Sequence, residues 1–424
     1  MDAVSRKQQA RPTPRCDTAS VSNPARRTPV DHRAVALLGL VTIAAYGTWW
    51  YAFGVLLDPI RIDTGWSESA LAASFAAGSI TIGLGAIGGG RLIDRLGARW
   101  VLLLGAFGGG IGLLTAASAT NIAVFFIAAM LGMGFFGALG FYHVTMTAAV
   151  QLHPESPARA IAHLTIWGAF ASAIYLPATA WLVERLEWRS TVRILTVSAV
   201  VSFVLAATLL PERATQTVTS PASLRSIIAA TLQPGAPRRL STVVAMFGIG
   251  MSTVLVYQVP AMTAAGLALT TASTMAAVRG FCQLGGRLPI AALVRVLGVD
   301  RALLVACAAL GVGGALLAFA GSIPTATLFA IVTGFGIGAY SPLQGIKAEQ
   351  LYDRETLGAT LGFYGTVGML AGAAGPAVVG VLADATDDRR WASVVTVGAA
   401  ALAVAVLASQ KDSDGPADEV IHHS

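Results

Sequence analysis

Two arginines and a glutamine interrupt an apolar, small-residue stretch of the chain, Met275-Ala-Ala-Val-Arg279-Gly-Phe-Cys-Gln283-Leu-Gly-Gly-Arg287-Leu-Pro-Ile290. Small residues of this kind let helices approach one another closely inside a membrane. An arginine near the centre of a membrane helix costs about 2.5–3.5 kcal/mol on insertion scales, so it usually faces an aqueous cavity or a partner. The stretch therefore predicts a membrane-buried helix that carries a polar site.

The composition of the whole chain also indicates a membrane protein. Apolar residues make up 55% of the 424 residues and charged residues 12%, and the mean hydropathy is +0.69, outside the balance of a soluble domain. A helix needs about 20 apolar residues to cross the hydrocarbon layer. Windows of that length predict an all-α integral membrane protein with twelve transmembrane helices, near 35–57, 71–89, 100–117, 122–150, 161–183, 191–210, 240–266, 272–294, 302–320, 325–350, 358–383 and 391–409.

The predicted spans divide into two sets of six. We expect a disordered cytoplasmic tail over 1–33, an N-terminal six-helix bundle over 34–210, a cytoplasmic linker over 211–239, a C-terminal six-helix bundle over 240–409 and a cytoplasmic tail over 410–424. The first tail is rich in Arg, Pro, Ser and Thr and lacks the apolar core of a signal peptide.

The distribution of basic residues predicts the orientation. With both termini inside, 20 of the 28 Lys and Arg residues lie on the cytoplasmic side and 6 outside, and the other 2 are Arg279 and Arg287. Cytoplasmic loops carry this excess in membrane proteins. We expect a multi-pass plasma membrane protein, whose net charge of +6 reflects topology and contact with lipid headgroups rather than nucleic acid.

An internal repeat relates the two halves. Residues 90–99 align with 291–300 at an offset of 201, Leu131-Gly-Met-Gly134 with Thr333-Gly-Phe-Gly336 at 202, and Leu176-Pro177 with Gly375-Pro376 at 199. Duplicated halves of this kind place a substrate site at mid-membrane in many secondary transporters. The repeat predicts two pseudo-symmetric bundles.

The loop after the second span, Gly90-x-x-x-Asp94-Arg95-x-Gly97-x-Arg99, resembles the signature of the major facilitator superfamily, and the resemblance covers the whole chain. More narrowly, Tyr51 to Ser67, Glu187-Trp188-Arg189 and Arg287-Leu-Pro289 resemble the branch of monocarboxylate transporters and oxalate/formate antiporters.

The narrower resemblance implies that Arg287 occupies the position of the family's anion-binding arginine. The chain also departs from the pattern. Gln283 stands where the family has a proton-coupling acid, Tyr51 aligns roughly with a lysine expected in the first span, and the predicted eleventh span lacks the antiporter lysine. The resemblance therefore leaves the coupling mechanism open.

The residues themselves also favour an anion site. No Asp or Glu lies near the middle of a predicted span, so an anion from solution is the expected partner of Arg279 and Arg287. A guanidinium group suits a carboxylate, because it can form two parallel hydrogen bonds. Residues 279, 283 and 287 are spaced by four and form one polar stripe on a helix. Alternatively, Arg279 reaches the outer surface or bonds to neighbouring carbonyls.

Further candidates for the cavity lining are polar or aromatic residues of other spans: Trp50, Tyr51, Gln258, Tyr340 and Gln344, besides Tyr46 and Trp49. Aromatic residues in such helices also serve as packing or interface residues. His143 in the fourth span is a candidate for proton coupling, and its alternative is a hydrogen-bonded packing residue.

The signature loop, Gly90, Asp94, Arg95, Gly97 and Arg99, is predicted to act as a cytoplasmic gate. Asp94 is expected to meet the N-terminus of a helix of the second half, where the helix dipole favours an anion. The alternative is that the arginines only fix the topology.

These observations predict a monomeric secondary transporter, without a cofactor or metal, for a small organic anion such as a monocarboxylate. Transport would proceed by alternating access, coupled to protons or by exchange. The alternatives are an exporter of amphipathic or drug-like compounds and a receptor of the same fold that does not transport. The fifth span has Tyr175-Leu-Pro177 rather than the glycine- and proline-rich run of drug exporters, which favours uptake or exchange.

Overall fold

A computed structural model describes residues 31–211 and 223–409. Most of the predicted tail 1–33, the whole tail 410–424 and residues 212–222 of the predicted linker lie outside the described residues. Within the described part of the chain the structure is helical throughout.

Eleven described helices are long and apolar enough to cross a membrane, and one bent pair of helices supplies a twelfth span. We number them span 1 to span 12: His32–Thr64, Glu68–Gly89, Arg95–Ser118, Ile122–Leu152, Arg159–Arg185, Trp188–Leu209, Ala236–Ala264, the pair Leu269–Arg287 and Ile290–Leu297, Val299–Leu317, Ile323–Leu351, Thr356–Thr386 and Trp391–Ala408. The prediction of an all-α membrane protein is confirmed.

Three spans are not regular helices, which the sequence did not predict. Span 1 contains a π-helical segment, Tyr46–Tyr51. Span 4 breaks at Phe141, whose backbone is extended (φ −75°, ψ 174°). Span 8 bends by 56° after Arg287, because Pro289 lacks the N–H that a continuous helix needs and its ring clashes with the preceding turn.

Part of the predicted linker is helical. A short helix, Leu224–Thr231, begins after Ser223, whose hydroxyl oxygen accepts the Ser226 N–H at 3.1 Å. Ser241 of span 7 donates its hydroxyl to the Thr231 carbonyl at 2.8 Å. The end of the linker therefore packs against the start of span 7.

The internal repeat is visible in the backbone. Gly97, near the start of span 3, has φ 78° and ψ 159°, and Gly298, just before span 9 and 201 positions later, has φ 76° and ψ 166°. This conformation is essentially restricted to glycine. Asn121 and Ser322, also 201 apart, both cap the next helix with nearly identical backbone angles. The two halves therefore share local geometry where their sequences share few residues.

The apolar core is divided in the same way. One cluster of buried residues comes mostly from spans 1 to 6 and a second mostly from spans 7 to 12. A few residues cross over, such as Val55 and Leu176 into the second cluster and Tyr257 into the first. Most of the apolar core therefore lies within each half, and less of it lies between the halves.

Candidate functional site

A cavity of about 300 Å³ lies between the two halves. Seven of the candidate residues line it: Tyr46, Trp50, Tyr51, Gln283, Arg287, Tyr340 and Gln344. Spans 1, 4 and 5 of the first half and spans 7, 8, 10 and 11 of the second half all contribute to its wall. The cavity is thus shared between the repeats.

Arg287 is the charged residue of the cavity wall. It is partly buried and lies near the tyrosines at positions 46, 51 and 142 of the first half. None of the residues that line the cavity is Asp or Glu, and among the described residues no carboxylate forms an ion pair with Arg287. An anion that enters the cavity would therefore meet a guanidinium without a protein counter-charge.

The bend in span 8 determines where this arginine lies. Arg287 is the last residue of the helix Leu269–Arg287, so its charge is close to the unpaired carbonyls and the negative end of the helix dipole. Gly286 packs directly against the backbone of span 10 around Phe335 and Ala339. The bend and this close contact hold the arginine at the cavity wall.

The π-helical segment in span 1 explains how its aromatic residues face the cavity. The Ala52 N–H donates to the Gly47 carbonyl, five residues earlier, at 3.2 Å. Residues five apart are brought together by this pattern, and the rings of Tyr46 and Tyr51 lie 6.2 Å apart. Both line the cavity, whereas Trp49 is buried in the core of the first half. Such π segments are frequent at functional sites.

Arg279 and Gln258 do not line the cavity. Arg279 is 2% exposed and Gln258 fully buried, and the Arg279 Nε donates to the Gln258 Oε1 at 2.7 Å. The Arg279 Nη2 is buried without a hydrogen-bond partner. In this conformation the second arginine is therefore enclosed rather than accessible.

His143 also lies outside the cavity lining. Its Nε2 is 2.8 Å from the Ala138 carbonyl oxygen, and its ring packs edge-on against Phe141. Coupling through this histidine stays a prediction, and its surroundings fit the alternative of a hydrogen-bonded packing residue.

Several polar lining residues were missed from the sequence: Tyr142, Ser172, Ser252, Ser341 and Tyr364. Tyr142 directly follows the break in span 4, which turns it toward Arg287. The serines are small residues of a kind common in all membrane helices. In the sequence around Tyr142, only Gly140 could have indicated that the helix breaks there.

Charged residues close the end that the Lys and Arg distribution assigns to the outside. Arg389 donates to Asp58 at 2.8 Å and to Glu68 at 2.9 Å, and Asp384 accepts the N–H groups of Glu68 and Ser69 at 2.9 and 2.8 Å. We call this group the outer network; it joins spans 1 and 2 to span 11 and the loop after it. Burial opposes the charge of Arg389, but hydrogen bonds and attraction from Asp58 and Glu68 raise its pKa above the ordinary value.

A larger depression of about 550 Å³ lies beside the outer network and contains Arg61, Glu68 and Arg389. It belongs to the outer surface, and the cavity between the halves lies deeper. We therefore treat the deeper cavity as the candidate substrate site.

Spans 2 and 11 separate at the opposite, inner end. Their contacts extend from the outer network to the pair Thr366 and Gly83, whose hydroxyl and carbonyl are 3.1 Å apart. Beyond this pair, Gly88 and Gly362 are exposed, and no described atom of another helix lies within 4 Å of the position that a Cβ would take at either. The cavity is thus closed at the end that carries the outer network and open at the opposite end.

The signature loop is described only in part. The turn at Gly97 has the glycine conformation given above, and Arg95 and Arg99 are exposed. The surroundings of Gly90 and the side chain of Asp94 lie outside the described part of the structure, so the predicted contact of Asp94 with the second half stays a prediction.

Comparison with known proteins identifies the relatives of the chain. The sequence profile of the Major Facilitator Superfamily matches residues 38–238 and again residues 239–419. No curated protein sequence matches the chain.

Solved structures of transporters share the fold. The chain is similar to a point mutant of the nucleoside transporter NupG, with a TM-score of 0.76 and 14% identity over 89% of this chain and 98% of that one. A D-xylose-proton symporter gives a TM-score of 0.69 at 14% identity, with 88% and 95% covered. A bacterial homologue of the human lysosomal transporter Spinster, in an inward-facing and unoccupied conformation, gives 0.64 at 15% identity, with 90% and 95% covered.

Proposed function

The chain belongs to the Major Facilitator Superfamily and is a transporter rather than an enzyme, and from this premise we propose that it carries a small organic anion, such as a monocarboxylate. The observation that supports the anion is Arg287, a cavity arginine without an acidic partner among the described residues. We place the transporter in the plasma membrane as a monomer, with both termini in the cytoplasm.

The cavity wall suits a carboxylate. The Arg287 guanidinium offers paired donors in one plane, and the hydroxyls of Tyr51 and Tyr142 lie near it. Gln283 and Gln344 add amide groups to the wall. A volume of about 300 Å³ is at the small end of ligand pockets, which favours a substrate of a few carbon atoms.

The charge of the substrate matters for energetic reasons. A guanidinium within the membrane is stabilised most by an opposite charge, because the surrounding dielectric is low. A neutral solute of the same size would leave that charge uncompensated. We therefore expect carboxylates to bind far more tightly than their amides or esters.

Transport would follow from rocking of the two halves around this cavity. In the conformation described here the outer network is formed and the inner end is open. Opening to the outside requires separation of Arg389 from Asp58 and Glu68 and closure of the inner ends of spans 2 and 11. The signature loop, with Asp94, Arg95 and Arg99, lies at that inner end and is our candidate for the inner gate.

Coupling to protons or exchange for another anion both stay within this proposal. Gln283 carries no proton that titrates near neutrality, and His143 is hydrogen-bonded outside the cavity lining. If His143 couples transport to protons, His143→Gln will abolish stimulation by a pH gradient while exchange continues.

Counterflow in proteoliposomes tests the proposal. Vesicles loaded with one unlabelled small carboxylate should accumulate the labelled form transiently, and other carboxylates should compete while their amides do not. Binding without counterflow would indicate a receptor. Movement of amphipathic cations or neutral drugs without carboxylate counterflow would indicate an exporter and contradict the proposed substrate class.

A further inference from the structure

Arg279, the enclosed arginine of span 8, carries a charge that its present contacts do not balance. Arg279 is 2% exposed, its Nε bonds to Gln258, and its Nη2 has no partner. Among the described residues no carboxylate pairs with it. A buried cation without a counter-charge is stabilised strongly by any anion that reaches it.

The position of Arg279 relates it to the cavity. It lies eight residues from Arg287 on the same helix, about 12 Å further toward the outer end. Tyr51 of the first half lines the cavity beside Arg287 and lies near both guanidinium groups.

The contacts that enclose Arg279 include contacts between the two halves. Gly280, the next residue, packs against Ser172 of span 5, and Gly54 of span 1 packs against the backbone of span 7 at Val256. Both contacts bring the first half against the second beside Arg279 and Gln258. When the outer end opens, the halves separate along this surface, and its buried groups become accessible from outside.

We infer that Arg279 and Gln258 form an outer subsite, which receives the carboxylate from the external solution before it passes Tyr51 to reach Arg287. The inference rests on the proposed function, because it assigns a second position to the same anion. In the outward-open conformation the free Nη2 and the Nε of Arg279 offer two parallel donors to a carboxylate, and the Gln258 amide offers a third. In the inward-open conformation Gln258 takes the place of the anion at Nε.

The subsite predicts an effect that depends on the side of the membrane. Arg279→Gln should raise the half-saturating concentration of a carboxylate at the outer face at least tenfold and change it less than twofold at the inner face. Arg287→Gln should raise it at both faces. A purely structural role for Arg279 would instead impair both faces equally, which would overturn the inference.

Thiol labelling tests the subsite without a known substrate. The full chain, with Cys16, Cys282 and Cys307 replaced by serine, receives the change Gln258→Cys. Intact vesicles are treated from outside with the anionic reagent sulfonatoethyl methanethiosulfonate or its cationic trimethylammonium counterpart. We expect the anionic reagent to react at least tenfold faster, and this preference to vanish when Arg279→Gln is added. Met262→Cys, one turn further out on span 7, replaces Gln258→Cys if the first protein does not fold.

The results separate the two claims. Absence of external labelling, even when Arg389→Ala weakens the outer network, or equal rates for the two reagents would overturn the subsite. Charge-selective labelling without counterflow of any small carboxylate would leave an outer anion site but refute the proposed function. Carboxylate counterflow without charge-selective labelling would support the transporter and refute the subsite.

Discussion

Replacement of Arg287 by glutamine removes the positive charge of the cavity while keeping a polar but shorter side chain. In the structure the guanidinium faces tyrosines and has no carboxylate partner among the described residues. Hydrogen bonds to a charged group contribute about 1.5–3 kcal/mol each. Loss of a paired interaction should therefore cost roughly 3 kcal/mol, which corresponds to about a 100-fold higher half-saturating concentration.

Arg287→Lys provides a graded comparison. Lysine keeps the charge but loses the planar pair of donors, so we expect a loss of about 1.4 kcal/mol, or tenfold. Arg193→Gln is the matched control, because Arg193 is an exposed arginine of span 6 outside the cavity lining. It should leave transport unchanged.

The assay is initial-rate carboxylate uptake into proteoliposomes, with equal amounts of each protein. Thermal unfolding without substrate is the second readout. Since Arg287 has no ion pair among the described residues, Arg287→Gln should leave the unfolding temperature unchanged or raise it. Uptake by Arg287→Gln with a half-saturating concentration within threefold of the wild-type value would refute the assignment.

Three further predictions concern the gate, the turns and the histidine. Arg389→Ala removes the hydrogen-bonded cation of the outer network and leaves Asp58 and Glu68 only Arg61, at 3.9 and 4.0 Å, so the closed outer end should lose about 3 kcal/mol of stabilisation; a thiol reporter on the outer face should label faster, and unchanged labelling would contradict the gate. Gly97→Ala and Gly298→Ala should each destabilise the protein by about 1–3 kcal/mol, seen as a lower unfolding temperature, whereas Gly88→Ala, in a helix with open space around it, serves as the control. His143→Gln should keep any pH-gradient dependence of uptake if its backbone hydrogen bond is its main role; abolition of that dependence would show that the histidine couples transport.

The number and positions of the spans could be predicted from the sequence because each span needs a long apolar segment, whatever its neighbours are. The repeat was also predictable, since the turn at Gly97 and its counterpart Gly298 requires a residue without a side chain. Arg287 could be found for a related reason: a charge in an apolar segment is costly, so it indicates a site.

Other features depend on tertiary contacts that leave no periodic signal. The π-helical segment Tyr46–Tyr51 and the break at Phe141 decide which aromatic residues face the cavity, and neither follows from helix propensity. For this reason Tyr142 was missed. The same limitation applies to Arg279, which shares one helix stripe with Arg287 but is enclosed and bonded to Gln258.

The outer network illustrates a further limit. Asp58 and Asp384 lie at the ends of predicted spans, yet their contacts with Arg389 and Glu68 join segments more than 300 positions apart. Spacing along the chain carries no information about such a pairing. Only the packing of the two halves reveals which end of the cavity is closed.

Counterflow of a labelled small carboxylate, measured side by side in proteoliposomes of the wild-type protein and Arg287→Gln, tests whether the protein carries a carboxylate that Arg287 binds. We predict transient accumulation by the wild-type protein that unlabelled carboxylates suppress and the matching amides do not, and a half-saturating concentration about 100-fold higher in the variant. Absence of counterflow for every small carboxylate, or equal suppression by carboxylates and their amides, would contradict the account.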